Sequence, residues 1–299
     1  MALLKGGASA GIVSASTTGR KLASQCLNAV TVAALQTRCR PRSAWSFWWY
    51  WKRCQIGRAR VGTALSSEVV DAIGHFRNHG FCTYADANSA KAAAAIKATM
   101  APWFEAHQSP SNVCEFDGNL WDVPGVPELF GPCVQNLIRG VLGCEFHLFY
   151  GKAMRSRAAT PEPDGSFLWH ADGGPSTCIH LMLYLDDTDR GNGAIEFAAK
   201  SLNLELLLRS SLLWSSADRT ERARRYESVL RERGGIRPVC GPTGTVILFW
   251  ENLLHRAGWF DGARSRDALV FNIYPARSSF SLATTDLRKP APYPSRPNF

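Results

Sequence analysis

Apolar positions in this chain recur with a helical period in its first half and fall into short strand-length runs in its second. After Ser66-Ser67-Glu68, apolar residues return at Val69, Ile73 and Phe76, the spacing of one helix face, and Gly80 supplies a stop. Residues 81–84 then read as a short strand. An Ala-rich helix over 89–100, a short buried helix over 134–142 and a strand over 144–150 follow, and 155–166 is a polar loop with Pro161 and Pro163. Later runs read as strands at 177–185, 194–197, 245–250 and 267–274. Turn-rich stretches at 186–193 and 241–244 and a mostly polar loop at 256–266 separate them. One stretch breaks this rhythm. Residues 202–233 are long, helical and charged, and read as a helical insertion: a solvated face, or more sharply a lid or dimer contact. The tail from Pro275 is Ser- and Pro-rich and reads as extended. No internal repeat is found.

Composition changes the picture in one place. The chain has 299 residues, 45% hydrophobic and 20% charged, which is ordinary for a globular protein, and no apolar run approaches a membrane span. The net charge of +9 suggests nucleic acid until it is located. Residues 1–60 hold ten Lys or Arg and no acid; the remainder carries 24 basic against 25 acidic residues and is nearly neutral. The basicity therefore belongs to a leader, rich in Ala, Ser, Thr and Arg, with the composition of a mitochondrial or plastid transit peptide. Its aromatic-basic cluster at 45–53 is compatible with a binding arm for a membrane surface or nucleic acid. Nine cysteines without a Cys-x-x-Cys pair point to a reducing, intracellular compartment rather than a disulfide scaffold. The domain expectation is a basic leader at 1–60, targeting or disordered, then one domain over 61–299 with the insertion inside it.

The candidate chemistry lies at Trp169-His170-Ala171-Asp172. On a strand, residues i and i+2 share a face, so His170 and Asp172 can offer an imidazole nitrogen and a carboxylate oxygen to one ion. A second histidine would complete a two-His-one-carboxylate triad, the arrangement of non-haem Fe(II) oxygenases, which leaves three metal positions open. Downstream only His180 and His255 are available. His255 follows the strand-like run 245–250, and Arg266 lies eleven positions beyond it.

Four blocks in order carry a resemblance: Trp169-His170-Ala171-Asp172; Asn192-Gly193-Ala194-Ile195-Glu196-Phe197; Gly244-Thr245-Val246-Ile247-Leu248-Phe249 leading to His255; and Arg266 before a strand ending Tyr274-Pro275. Together they resemble the phytanoyl-CoA dioxygenase family over about 61–280. The resemblance implies a mainly β fold with flanking helices on a double-stranded β-helix (jelly roll, cupin-like) core. It implies Fe(II) held by His170, Asp172 and His255, with 2-oxoglutarate as cosubstrate, O2 as oxidant and Arg266 on the distal carboxylate of 2-oxoglutarate. Arg264 is the second candidate for that carboxylate. The implied activity is a dioxygenase that hydroxylates or otherwise oxidises a C–H bond of a small organic substrate, releasing succinate and CO2. Asp172 sets the chain apart from related halogenases, which lack the carboxylate. The resemblance departs at Ala199-Lys200-Ser201-Leu202, where the family has a Pro-Gly-Ser-His-like turn; this bears on the substrate pocket rather than the metal.

Two rivals stand beside this reading: a cupin-type metalloenzyme independent of 2-oxoglutarate, and a non-catalytic binding module on the same fold. The expected partner is a small molecule, with no nucleic acid and no transmembrane segment. His75, His79, His107 and His147 precede the motif and are read as structural.

Overall fold

The structure is a computed structural model that describes residues 49, 51–56, 65–172, 177–262, 264–277 and 280. The leader expectation at 1–60 lies outside the described residues except at 49 and 51–56, and the tail expectation lies outside them beyond 280. Residues 51–56 are helical. Trp51 packs on the core and on Trp250, Cys54 is buried, and the Trp51 indole donates to the Leu142 carbonyl at 2.9 Å.

Helix α1 (Ser67–His79) begins where the Ser66 hydroxyl accepts from the Val69 N–H. It ends where Gly80, at φ 84°, donates to the Phe76 carbonyl. Strand β1 (Phe81–Tyr84) follows. Helix α2 (Ala87–Ala106) starts on an Asp86–Ser89 capping box and runs further than its Ala-rich centre suggests. After β2 (Val113–Glu115) come α3 (Val126–Leu129) and α4 (Pro132–Leu142). The long strand β3 (Glu145–Arg157) takes in the start of the expected loop at 155–166. Then come β4 (Ile179–Tyr184), β5 (Ile195–Ala198), β6 (Ile236–Pro238), β7 (Val246–Trp250), β8 (His255–Ala257) and β9 (Ser265–Ala276). Strand β8 takes in the first two residues of the span expected to be a loop at 256–266. The insertion is two helices rather than one, α5 (Lys200–Leu212) and α6 (Arg219–Glu232). The chain breaks between them because Asp218 caps a new helix by accepting from the Glu221 N–H.

The strands form two antiparallel sheets, six-stranded in the order β1-β7-β4-β9-β3-β2 and three-stranded in the order β6-β5-β8. This is the mainly β, cupin-like architecture with flanking helices. The period of two decides which side of the large sheet is which. Leu181, Leu183, Leu248, Leu269, Phe271 and Ile273 join one core with α1, α2 and α4. Their alternates, among them Met182, Tyr184, Ile247 and Phe249, face the small sheet. There Phe197 of β5 stacks on Phe81 (centroids 4.6 Å) and packs on Phe249 (5.0 Å).

Strand β3 carries a bulge that decides what its later residues face. Its pairing with β9 slips between Leu148 and Tyr150, leaving Phe149 as the extra residue. Phe146 and Leu148 before the slip are in the helix-covered core; after it, Tyr150, Lys152 and Met154 line the cavity between the sheets.

Candidate active site

The two histidines are placed by a pair of backbone bonds. His170 donates to the His255 carbonyl at 3.0 Å and His255 donates back at 2.8 Å, an isolated antiparallel bridge. Directly opposed residues project to the same face, so both imidazoles point one way. The His-x-Asp segment is therefore not a regular strand. It is an extended stretch pinned at a second point, where the Asp172 N–H donates to the Glu251 carbonyl at 3.1 Å.

The three side chains converge. One donor atom from each of His170, Asp172 and His255 lies within 4.8 Å of the others. Asp172 Oδ1 is 3.6 Å from His170 Nε2, and Oδ2 is 3.5 Å from His255 Nε2. Each imidazole turns its Nδ1 to the carbonyl two residues back, His170 to Leu168 at 2.7 Å and His255 to Leu253 at 2.8 Å. Nδ1 carries the proton in that arrangement, which leaves the Nε2 lone pairs aimed at the cluster centre. Burial keeps both rings neutral: it lowers His170, and together with the nearby His170 it lowers His255 to about 3. For Asp172, burial works to raise the carboxyl, but His255, His180 and His170 outweigh it and hold it well below the usual range.

His180, the other candidate third ligand, stands outside this group of donors. It lies behind the carboxylate, with Nε2 3.1 Å from Asp172 Oδ2 and 3.9 Å from Glu251 Oε1, and its ring stacks on Phe249 (5.0 Å, 14°). The strand pattern placed it in a buried run but gave no sign that it faces Asp172.

The insertion packs against the same site. Leu202, Leu206 and Leu207 of α5 and Tyr226 and Leu230 of α6 form one cluster with Trp169 and Leu254, the residues just before His170 and His255. Arg256 locks the layers together: its guanidinium lies over the Trp169 ring (5.0 Å), donates to Glu196 of β5 at 2.7 Å and donates to Glu227 of α6 at 2.8 Å. The departure at 199–202 is the start of α5, and none of these four residues lines the cavity.

A cavity of about 560 Å³ opens on the three donors. Arg266 reaches it from β9, only 2% exposed. It donates to the Gly193 carbonyl, and its guanidinium lies 5.8 Å from the Tyr184 ring. Gly193 turns at φ 84°, and a Cβ there would meet the Phe260 ring at 2.5 Å, so the position takes only glycine without rearrangement. The Arg266 Nε has no hydrogen-bond partner among the described residues. Arg264 is instead half-exposed and paired with Asp189 at 2.8 Å. His75, His79, His107 and His147 do not line the cavity; His75 and His79 pack against each other and His147 stacks on Tyr274.

Two antiparallel sheets thus leave a cavity lined by a His-Asp-His cluster, a donor set of the kind a facial-triad metal site uses. Residues 141–268 match the family model for phytanoyl-CoA dioxygenase (PhyH). The match contains the triad, the insertion and Arg266. Among solved structures, EctD from S. alaskensis with bound Fe aligns at TM-score 0.50 and 16% identity, over 70% of this chain and 76% of that one. Apo HygX from Streptomyces hygroscopicus aligns at 0.50 and 15%, over 72% and 89%. These likenesses show the fold. No curated protein matches the chain. Among the described residues no helix is long and apolar enough to cross a membrane.

Proposed function

We propose that this protein is an Fe(II)- and 2-oxoglutarate-dependent dioxygenase that hydroxylates or otherwise oxidises a C–H bond of a small organic substrate. The observation that carries the reading is the convergence of His170, Asp172 and His255 in one cavity with a buried, incompletely bonded Arg266.

The residues fit both groups. Two neutral Nε2 atoms and one carboxylate oxygen on one face are the donor set of a facial triad, and Fe(II) suits it. A buried guanidinium with an unpartnered Nε fits a cosubstrate carboxylate, since charge-assisted pairs of this kind are the strongest hydrogen bonds available to a side chain. When bound, iron and 2-oxoglutarate supply the oxidation: one atom of O2 enters succinate, the other enters the product, and CO2 leaves. The chain does the rest. His170 and His255 present fixed lone pairs because their Nδ1 protons are held by Leu168 and Leu253. His180 orients the Asp172 carboxylate from behind. Arg266 fixes one end of the cosubstrate, and Met182, Phe249 and Val270 keep the reacting space apolar.

The test is uncoupled turnover by the full chain with Fe(II), O2 and 2-oxoglutarate. Slow succinate release by the parent, and none by Asp172→Ala, is the expected result. A parent that neither releases succinate nor binds 2-oxoglutarate would overturn the reading.

A further inference from the structure

We infer that Lys152, aimed into the cavity by the bulge at Phe149, is the subsite for a carboxylate on an otherwise apolar substrate. The inference rests on the functional reading above, because it assigns Arg266 to the cosubstrate and asks what the remaining cation in the cavity binds.

Without the extra residue at 149, the period of two would send Lys152 into the helix-covered core, where an ammonium could not be hydrated. With it, Tyr150, Lys152 and Met154 share the cavity face. Lys152 opposes Val270 of β9, and Val270 opposes Met182 of β4, so the ammonium sits one row from the Tyr150–Asn272–His180 row beside the metal cluster.

Lys152 and Arg266 are the cationic lysine and arginine side chains among the lining residues, and Asp172 is the acid among them. Lys152 is held by Glu115 at 2.8 Å, but this is a rim pair: the side chains are 32% and 49% exposed. Such pairs contribute little in water and exchange readily, so an incoming carboxylate can take the place of Glu115. Asn272, 8% exposed and facing the same space, has a side-chain amide with no hydrogen-bond partner among the described residues. The other walls, Phe149, Met154, Met182, Phe249 and Val270, are apolar. One exchangeable cation with one free amide matches a monoanion; a phosphate dianion would call for more donors.

The test is calorimetric binding to the full chain loaded with Mn(II) and 2-oxoglutarate, using 3-phenylpropionate and its uncharged analogue 3-phenylpropanamide as probes. The carboxylate should bind at least about tenfold more tightly. Lys152→Met should erase that difference, Lys152→Arg should keep it, and neither change should alter 2-oxoglutarate affinity. Equal binding of the two probes, or binding of neither, would overturn the inference. So would a Lys152→Met protein that loses 2-oxoglutarate affinity instead, since Lys152 would then serve the cosubstrate. Failure of the parent to take up Mn(II) and 2-oxoglutarate would be a different result: it would remove the functional reading and this inference with it.

Discussion

Helices cover this molecule in two places, and they do different work. Helices α1, α2 and α4 pack on the outer face of the large sheet, through residues such as Phe76, Ile96 and Leu137, and contribute no residue to the cavity lining. Helices α5 and α6 pack on Trp169 and Leu254, one residue away from two metal-ligand candidates, and Arg256 ties them to the small sheet. The first group stabilises the sheet as a whole. The second stabilises a local geometry, in which His170 and His255 must remain paired for their imidazoles to face one point. The same burial of leucine is thus a matter of fold stability in one place and of site geometry in the other.

The largest effect should come from the site itself. His170→Ala or Asp172→Ala should abolish divalent-metal uptake and succinate release while leaving the thermal midpoint near that of the metal-free parent, measured by calorimetry. The comparison is then drawn most sharply by two matched truncations. Ile96→Ala and Leu206→Ala both empty a fully buried site, and each should cost about 2–5 kcal/mol of stability. Only Leu206→Ala should also weaken metal binding, measured by titration well below its unfolding temperature. Equal metal affinity in the two variants would break the distinction between the helix groups.

Arg266→Ala should lower 2-oxoglutarate affinity by about 2–5 kcal/mol, since one partner of a buried charge pair is lost. Metal uptake without the cosubstrate should be unchanged. His180→Leu should weaken metal binding about 10–100-fold, the usual effect of removing a group that orients a ligand, and His180→Gln should recover part of it. The smallest effect is expected on the exposed face of α6. Breaking the Glu221–Arg225 pair, whose side chains are 48% and 42% exposed, should change stability by no more than about 0.5 kcal/mol.

Much of the fold was legible because its signals are local. Ser66 and Gly80 bracket α1 where their chemistry says they should, and the apolar runs at 245–250 and 267–274 are strands. The candidate triad was legible because two of its members are two residues apart and few histidines follow. What was hidden depends on contacts distant in sequence. Strand β8 is three residues long and is defined by pairing with β5 rather than by any period of its own. The break between α5 and α6 rests on one capping aspartate after a short Trp214-Ser215-Ser216 stretch, between two segments that both read as helix. The insertion's role was concealed by its charge: Arg and Glu dominate α6, and the buried Ala223, Tyr226 and Leu230 are too few to announce a packed face. The position of His180 against Asp172 needs β4 and the 170–172 segment to be adjacent, and the aim of Lys152 depends on a one-residue slip that no alternation pattern records.

The central claim is that His170, Asp172 and His255 hold iron in a form that 2-oxoglutarate can chelate. The most direct measurement is an anaerobic titration of the full chain with Fe(II) and then 2-oxoglutarate, following the visible charge-transfer absorption of the chelated metal, with His255→Ala alongside. A band that saturates with one equivalent of each in the parent and is missing in the variant is the predicted result. Iron bound without a band would contradict the claim and favour a cupin-type metalloenzyme; no iron bound would contradict it and favour a non-catalytic module.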